Sequence, residues 1–387
     1  MRQILLLGAT GSIGQQVINE VREYPKDLKL VGIAGQRQVM ALAVLAREHN
    51  VPFVAISRHV SAEESALFPS SCQIFSEERA LEDLVEAVDC DMVVVATSGI
   101  AALAATWRAI RKGKIIALAS KEILVVAGEW VMAEAQKYGG VILPLDSEHN
   151  AIFQCFGARL SVNPSSLRQV WLTASGGPFL RYSREAMASV TPKQALKHPI
   201  WNMGPKISID SATLANKGLE LIEAKYLFHL QPEQIGVVIH PQSYVHSMVE
   251  WVDGSIIAQL STPSMRFPIH YCLFYPERIP SSLKTLSFRE AIQMNFEVPD
   301  EVKFPCLRLA RESLSRGNAG PVVFNASNEV AVEAFLSSQL NFFNIPVVIE
   351  KTMDAMLPMD TSSLEYALET DRLARERAGR EITLLLR

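Results

Sequence analysis

ILLLGATGSIGQQVINEV, residues 4–21, begins with four large aliphatics, turns through Gly8, Gly11 and Gly14, and continues with apolar side chains at Val17, Ile18 and Val21. A short unbroken apolar run is the pattern of a strand buried on both faces, and the following spacing of three and four is that of a helix. The stretch reads strand, glycine turn, helix. In such a unit the backbone can come close to a pyrophosphate and the helix N–H groups point at it; the spacing departs from G-x-G-x-x-G, but the demand on the turn is the same. The next strand, at 28–34, ends beside the adenosine ribose in a fold of this kind. Its tip reads AGQRQ, with no carboxylate for a free 2′-hydroxyl and with Arg37 placed to pair with a 2′-phosphate. The cofactor implied is NADP(H).

Further strands are expected at 92–96, ending in TSG, and at 114–118, ending in ASKE; another runs into LPLDSEHNAI, residues 143–152. Strands alternating with helices specify an α/β fold with an N-terminal Rossmann-like domain over 1–150. Polar groups then gather at the strand tips, where open parallel sheets bind ligands. Lys121 can reach a substrate oxygen, and Ser120 or Glu122 the nicotinamide ribose. Asp146 and Glu148 stand on either side of Ser147, and two acids so close repel unless a cation or a proton lies between them. A hard divalent metal suits them. Asp146 or Ser147 equally suits the cap of a helix starting near Asn150.

The chain has 387 residues, 49% hydrophobic and 20% charged, which is ordinary globular composition with room for two or three domains. A net charge of -4 argues against general affinity for nucleic acid. The five cysteines are scattered, odd in number and without a CxxC pair, which indicates neither a disulfide framework nor a zinc site. No cleavable signal is evident, and no apolar run approaches the ~20 residues of a membrane span. The expectation is a cytoplasmic protein that does not engage membranes.

Beyond residue 150 the pattern changes. A strand at 169–173 leads into ASGGPF, where Ser175, Gly176 and Gly177 can offer a hydroxyl and N–H groups to an anion. HPIWNMGPK, residues 198–206, continues neither neighbour and reads as a flap carrying Trp201. In the stretch from 208 to 228, Ser211, Asn216, Lys217 and Glu220 fall within one span that becomes a helix. Asn216 and Glu220 share a face, and Glu223 lies on nearly the same one, so spacing does not choose which glutamate would be a third oxygen ligand. Strands at 235–239 and 255–260 flank HPQSYVHSMVEW and suggest a half-exposed sheet available for dimerisation; His246 within it reads as a structural histidine. The organisation expected is a catalytic and dimerisation domain over 151–274, a linker over 275–304 and a helical domain over 305–387.

GATGSIG, ASKE, LDSEHNAIFQ, TASGGPF, HPIWNMGPKISIDSATLANKGLE, VIHPQSYVHSMVE and NASNEVAV occur in this order. Together they resemble the 1-deoxy-D-xylulose 5-phosphate reductoisomerase family of the non-mevalonate isoprenoid pathway. The resemblance implies a homodimer that uses NADPH and Mg²⁺ or Mn²⁺, acts on a small sugar phosphate and makes 2-C-methyl-D-erythritol 4-phosphate. It implies that Asp146, Glu148 and Glu220 hold the metal, in favour of Glu220 over Glu223. Ser175, His198, Ser211, Asn216 and Lys217 match the phosphate and substrate pocket, with Trp201 as its cover; Lys121, Ser147 and Glu148 match contacts to substrate oxygens. Thr10, Gly11, Ser12, Ile13, Gly35, Gln36, Arg37, Ser120, Glu122 and Gly204 match cofactor positions. Three positions depart from the family pattern: Ser120 replaces a usual asparagine, Pro205 a basic or polar residue, and Ser264 an aspartate.

Two other functions share parts of this pattern. A plain NADP-dependent sugar-phosphate or semialdehyde dehydrogenase would keep the glycine turn and need no carboxylate metal site, and a non-catalytic NADP-sensing protein could dispense with the lysine and the carboxylates.

Overall fold

β1 (Arg2–Leu7) carries the opening run, and Ile4, Leu5, Leu6 and Leu7 are completely buried. The computed structural model describes residues 1–201, 203–359 and 361–386. β1 is central in a parallel sheet with β2 (Leu28–Gly35), β3 (Phe53–Ile56), β4 (Gln73–Ser76), β5 (Met92–Val95), β6 (Ile115–Leu118) and β7 (Val141–Pro144), in the order β4-β3-β2-β1-β5-β6-β7. The chain reverses direction across the sheet between β1 and β5, which leaves a crevice beyond their carboxyl ends. The fold is α/β and Rossmann-like. β3 and β4 add two strands that the sequence pattern did not mark, each only four residues long.

The glycine turn has the geometry its residues allow. Gly8 has φ +92°, and a Cβ there would run into the Ala96 carbonyl; a Cβ on Gly14 would run into the carbonyl of Gly8. Side chains at either position would push the turn off the sheet.

A second sheet has the order β11-β10-β8-β9, built from β8 (Leu167–Ala174), β9 (Ile235–Ile239), β10 (Val245–Trp251) and β11 (Ile256–Leu260). β8 runs parallel to β9, while β10 is antiparallel to β8 and to β11. β10 occupies VHSMVEW, which the sequence pattern presents only as the segment between two strands. β11 is an edge strand with Ile256, Ile257 and Leu260 exposed. The helices Pro305–Ser315, Ala319–Leu336, Asn344–Met356 and Leu364–Leu385 pack on one another, as the 3.6-residue period of 305–387 implied.

Contacts divide the chain into two units, each woven from three segments. The first comprises Met1–Ile123, Val131–Asn150 and Met265–Leu283; the second comprises Leu124–Trp130, Ala151–Ser264 and Lys284–Arg387. This grouping differs from the sequence division at four places. Residues 124–130 leave the 1–150 segment, residues 265–274 leave the 151–274 segment, the 275–304 linker splits after 283, and 305–387 is not set apart from 151–264. The cause in the first unit is a buried polar cluster. Glu20, fully buried on the helix Ser12–Glu23, accepts from Arg266 Nε at 2.7 Å and lies 2.9 Å from His270 Nδ1, which fastens the helix Arg266–Phe274 to the helix of the glycine turn. Arg2 adds bonds to the carbonyls of Leu273 and Tyr275. In the second unit, the helix Ala215–Phe228 packs on Pro305–Ser315, which joins the C-terminal helices to the preceding sheet region.

All five cysteines are free thiols. Among the described residues no helix is long and apolar enough to cross a membrane.

Candidate functional site

In the first unit the glycine turn is tied to β2 by the N–H groups of Gly8 and Ala9, which donate to the Ala34 carbonyl at 3.0 and 2.8 Å. Gly11 caps the helix Ser12–Glu23 without a side-chain bond, so the first-turn N–H groups of Ser12 and Ile13 face an external acceptor rather than a cap. Thr10 is half-buried beside them. A pyrophosphate fits this cradle, which a side chain at Gly8 or Gly14 would displace.

Gly35 ends β2, and Gln36 and Arg37 are exposed beyond it. Arg58 Nε donates to the Gln36 carbonyl at 3.1 Å while its guanidinium holds Glu64 through two bonds. Arg58 is thus a brace for the loop after β2, and Arg37 is the guanidinium presented outward. Nothing in the local sequence pattern singles out Arg58, since the Gln36 carbonyl it holds lies 22 positions earlier, before β3.

Ser120 is buried, and its hydroxyl donates to the carbonyl of Thr97 in the TSG turn after β5. It joins two strand tips. Glu122 opens the helix Glu122–Tyr138, where a carboxylate suits the helix dipole.

Lys121 is also buried, and its ammonium meets Asp146 Oδ2 at 2.5 Å. The other oxygen of Asp146 accepts from the backbone N–H of Glu148 at 3.2 Å and lies 3.2 Å from His149 Nδ1. The helix begins at Ser147, three residues before the expected start, and extends to Cys155. Asp146 therefore acts at once as helix cap and as partner of Lys121. Burial disfavours its charge, but Lys121 and then His149 more than offset this and hold the carboxyl well below its ordinary value. Ser147 donates its hydroxyl to Glu148. The sequence pattern does not single out His149, although its i, i+3 spacing from Asp146 is visible there.

In the second unit, Ser175 follows β8. Its Oγ accepts from the Gly177 N–H at 3.2 Å and lies 3.0 Å from His198 Nε2. His198 Nδ1 accepts from the N–H groups of Ile200 and Trp201 at 3.2 and 2.8 Å. A nitrogen receiving two N–H donors cannot carry a proton, so Nε2 carries it and donates to Ser175. Burial lowers the His198 pKa from 6.5 to about 4. Trp201 is half-buried, with its ring 6.2 Å from that of His246. His246 bonds Ser261 Oγ at 2.8 Å, as a structural histidine would. Asn202, within the expected flap, lies outside the described residues.

Gly204 is the N-cap of the helix Pro205–Thr213, and Pro205 is its first residue, where a missing N–H costs nothing. Leu214, at φ 61°, then breaks the chain before the helix Ala215–Phe228. The single helical span read from the sequence is two helices. Ser211 lies on the first, and its carbonyl is 2.6 Å from where a Gly177 Cβ would be, so the ASGGPF loop and Ser211 adjoin. Asn216, Lys217 and Glu220 lie on the second. Asn216 and Lys217 each donate to one oxygen of Glu220, and Lys217 and Glu220 are almost wholly buried. Glu223 is equally buried.

Asp146, Glu148 and Glu220 are hard oxygen donors, the kind Mg²⁺ and Mn²⁺ take. Each carboxylate is oriented by neighbours: Asp146 by Lys121, Glu148 by Ser147, and Glu220 by Asn216 and Lys217.

The family model described as 1-deoxy-D-xylulose 5-phosphate reductoisomerase matches residues 4–128, its C-terminal domain model matches 142–228, and a DXP reductoisomerase C-terminal domain model matches 260–377. A relative from Thermodesulfovibrio yellowstonii named 1-deoxy-D-xylulose 5-phosphate reductoisomerase is 41% identical over 99% of this chain and 100% of its own. One of the same name from Chlorobium phaeobacteroides is 46% identical over 98% of each chain. Among solved structures, a DOX-P reductoisomerase in complex with NADPH, fosmidomycin and magnesium superposes with a TM-score of 0.93 at 40% identity, covering 100% of this chain and 99% of its own. The Zymomonas mobilis enzyme in complex with NADPH gives 0.90 at 42% identity, over 98% and 99%.

Proposed function

The chain belongs to the 1-deoxy-D-xylulose 5-phosphate reductoisomerase family, and from that premise we propose which of its residues perform each part of the reaction. The enzyme converts 1-deoxy-D-xylulose 5-phosphate to 2-C-methyl-D-erythritol 4-phosphate with NADPH and a divalent metal, in isoprenoid precursor biosynthesis. The observation that carries the residue assignment is the buried Lys121–Asp146 pair at a strand tip of the dinucleotide sheet, with Glu148 next to it. A plain dehydrogenase has no use for a carboxylate turn charged in this way.

Asp146, Glu148 and Glu220 are the metal ligands in this reading. The metal, when bound, polarises the substrate carbonyl, and the nicotinamide supplies hydride. Lys121 holds its proton at Nζ, where it both fixes Asp146 and can donate to a substrate oxygen; Ser147 and Glu148 orient the neighbouring oxygens. Ser175, Ser211, Asn216 and Lys217 bind the phosphate, which does not react but anchors the reacting carbons. His198 ties the Ser175 loop to the segment that bears Trp201, and that segment covers the site and excludes water. Thr10 to Ile13, Gly35 to Arg37, Ser120, Glu122 and Gly204 contact NADPH, with Arg37 on the 2′-phosphate and Ser120 acting through the shape of the TSG turn.

We read residues 1–150 as the NADPH domain, with 265–283 as part of its framework, and 151–264 as the catalytic region supported by the C-terminal helices. The exposed edge of β11 fits pairing with a second copy, and the free thiols suit a reducing cytoplasm. The direct test is NADPH oxidation with 1-deoxy-D-xylulose 5-phosphate, with Mg²⁺ and with EDTA. Turnover that persists in EDTA would remove the metal role of the three carboxylates.

A further inference from the structure

We propose that Asn150 and Cys272 are positioning residues for Asp146 and Glu148, acting through the carbonyl of Pro144. This rests on the metal-ligand reading above. Pro144 ends β7, the last strand of its sheet, so no further strand lies beyond it to hold the chain where the carboxylate turn starts. Side chains do this instead. The amide of Asn150 donates to the Pro144 carbonyl at 3.0 Å, and the thiol of Cys272 donates to the same oxygen at 3.2 Å. The amide of Asn150 also reaches Cys272 Sγ at 3.3 Å, which closes a triangle of three bonds among buried groups. The backbone N–H of Asn150 bonds the Asp146 carbonyl at 2.9 Å. Asn150 thus clasps both ends of the short turn that presents the two acids.

Cys272 is the fixed post of this arrangement. It lies on the helix Arg266–Phe274, which Glu20 fastens to the helix of the glycine turn, so the carboxylate turn and the cofactor cradle are referred to one framework. Burial keeps the Cys272 thiol protonated and therefore a donor. Groups that orient metal ligands from behind commonly alter metal affinity tenfold or more, and here the action passes through one peptide rather than directly. A smaller effect follows.

The test compares Asn150→Ala, Cys272→Ala, Cys272→Ser and Asp146→Asn in the full-length protein. Mn²⁺ binding is followed by electron paramagnetic resonance, NADPH binding by fluorescence, and Tm by circular dichroism. Asn150→Ala and Cys272→Ala should each weaken Mn²⁺ binding by about three- to tenfold with NADPH affinity within about twofold, while Cys272→Ser, which keeps a donor, stays within about twofold of wild type. If Asp146→Asn weakens Mn²⁺ binding but Asn150→Ala and Cys272→Ala lower only Tm, the two residues are packing residues and the proposal is wrong. Unchanged Mn²⁺ binding in Asp146→Asn would overturn the ligand assignment itself. Should Asn150→Ala fail to fold, the cysteine pair decides alone: equal losses in Cys272→Ala and Cys272→Ser would refute a hydrogen-bonding role.

Discussion

Arg37 and the three carboxylates make opposite demands on their surroundings. Arg37 must remain in solvent to meet a phosphate, and the loop that carries it is held by Arg58 so that Arg37 need not be. Arg37→Ala should therefore lower the preference for NADPH over NADH by at least about tenfold, the ~1.4 kcal/mol of one charge-assisted contact, without loss of stability; kcat/KM with each cofactor measures it. The carboxylates are enclosed. Asp146→Asn, Glu148→Gln and Glu220→Gln should each weaken metal binding and nearly abolish turnover while NADPH affinity barely changes, and Glu223→Gln should be milder. Metal titrations of the four variants decide this, and normal metal dependence in Glu220→Gln would exclude it as a ligand. Arg37, Asp146 and Glu148 were legible from their places at strand tips, whereas spacing left Glu220 and Glu223 open and only the family resemblance favoured Glu220. The pairings were less legible: Lys121 and Asp146 are 25 positions apart, and only the adjacency of β6 and β7 brings them together.

Among the elements, the segment from 198 onward is governed by one imidazole. His198 is held neutral by burial, so the unfolded chain, with its ordinary value of 6.5, binds more protons than the folded one as the pH falls from about 6.5 to about 4. The sign follows: the stabilisation is whole above pH 6.5 and is lost towards pH 4. Protonation puts a hydrogen on Nδ1 against the N–H groups of Ile200 and Trp201, so acid should loosen this segment before the rest of the fold. Hydrogen exchange at those two amides should rise over that interval in wild type and much less in His198→Asn, whose amide oxygen can still accept. Trp201→Ala should cost about ten- to a hundredfold in kcat/KM, as expected of ~1.5 to 3 kcal/mol for covering apolar surface, with the fold intact; an unfolded variant would make Trp201 a core residue. Long elements with strong period were legible in the sequence, including β1, β2 and the C-terminal helices. β3, β4 and β10 were not: β4 has no fully buried residue, β3 runs into none of the motifs that marked β5 and β6, and β10 alternates polar groups such as His246 and Glu250 within its apolar positions. The break at Leu214 gave no signal either: a leucine in a left-handed conformation is imposed by packing, not announced by glycine.

Over the whole molecule, the exposed edge of β11 bears on assembly. An edge strand with apolar side chains on both faces is unsafe in a monomer, so wild type should be a dimer by light scattering, as proposed above, and Ile257→Lys a folded monomer with Tm reduced. A dimer that survives this change would place the interface elsewhere. The feature least legible at this scale was the return of Met265–Leu283 to the first unit. It rests on Glu20 meeting Arg266 and His270, more than 240 positions away, and a buried glutamate in a helix pattern looks like any other polar residue until its partners are placed. That return sets an order of events during synthesis. The dinucleotide unit leaves the ribosome first, yet Glu20 is without its partners and the Pro144 carbonyl without the Cys272 thiol until residues 151–264 have been translated, an interval of roughly 6 to 25 s at ordinary rates. Through that interval the nascent first unit carries Glu20 without its counter-charges and a slack carboxylate turn, so the metal site proposed above would reach its full affinity only when about two thirds of the chain has been made.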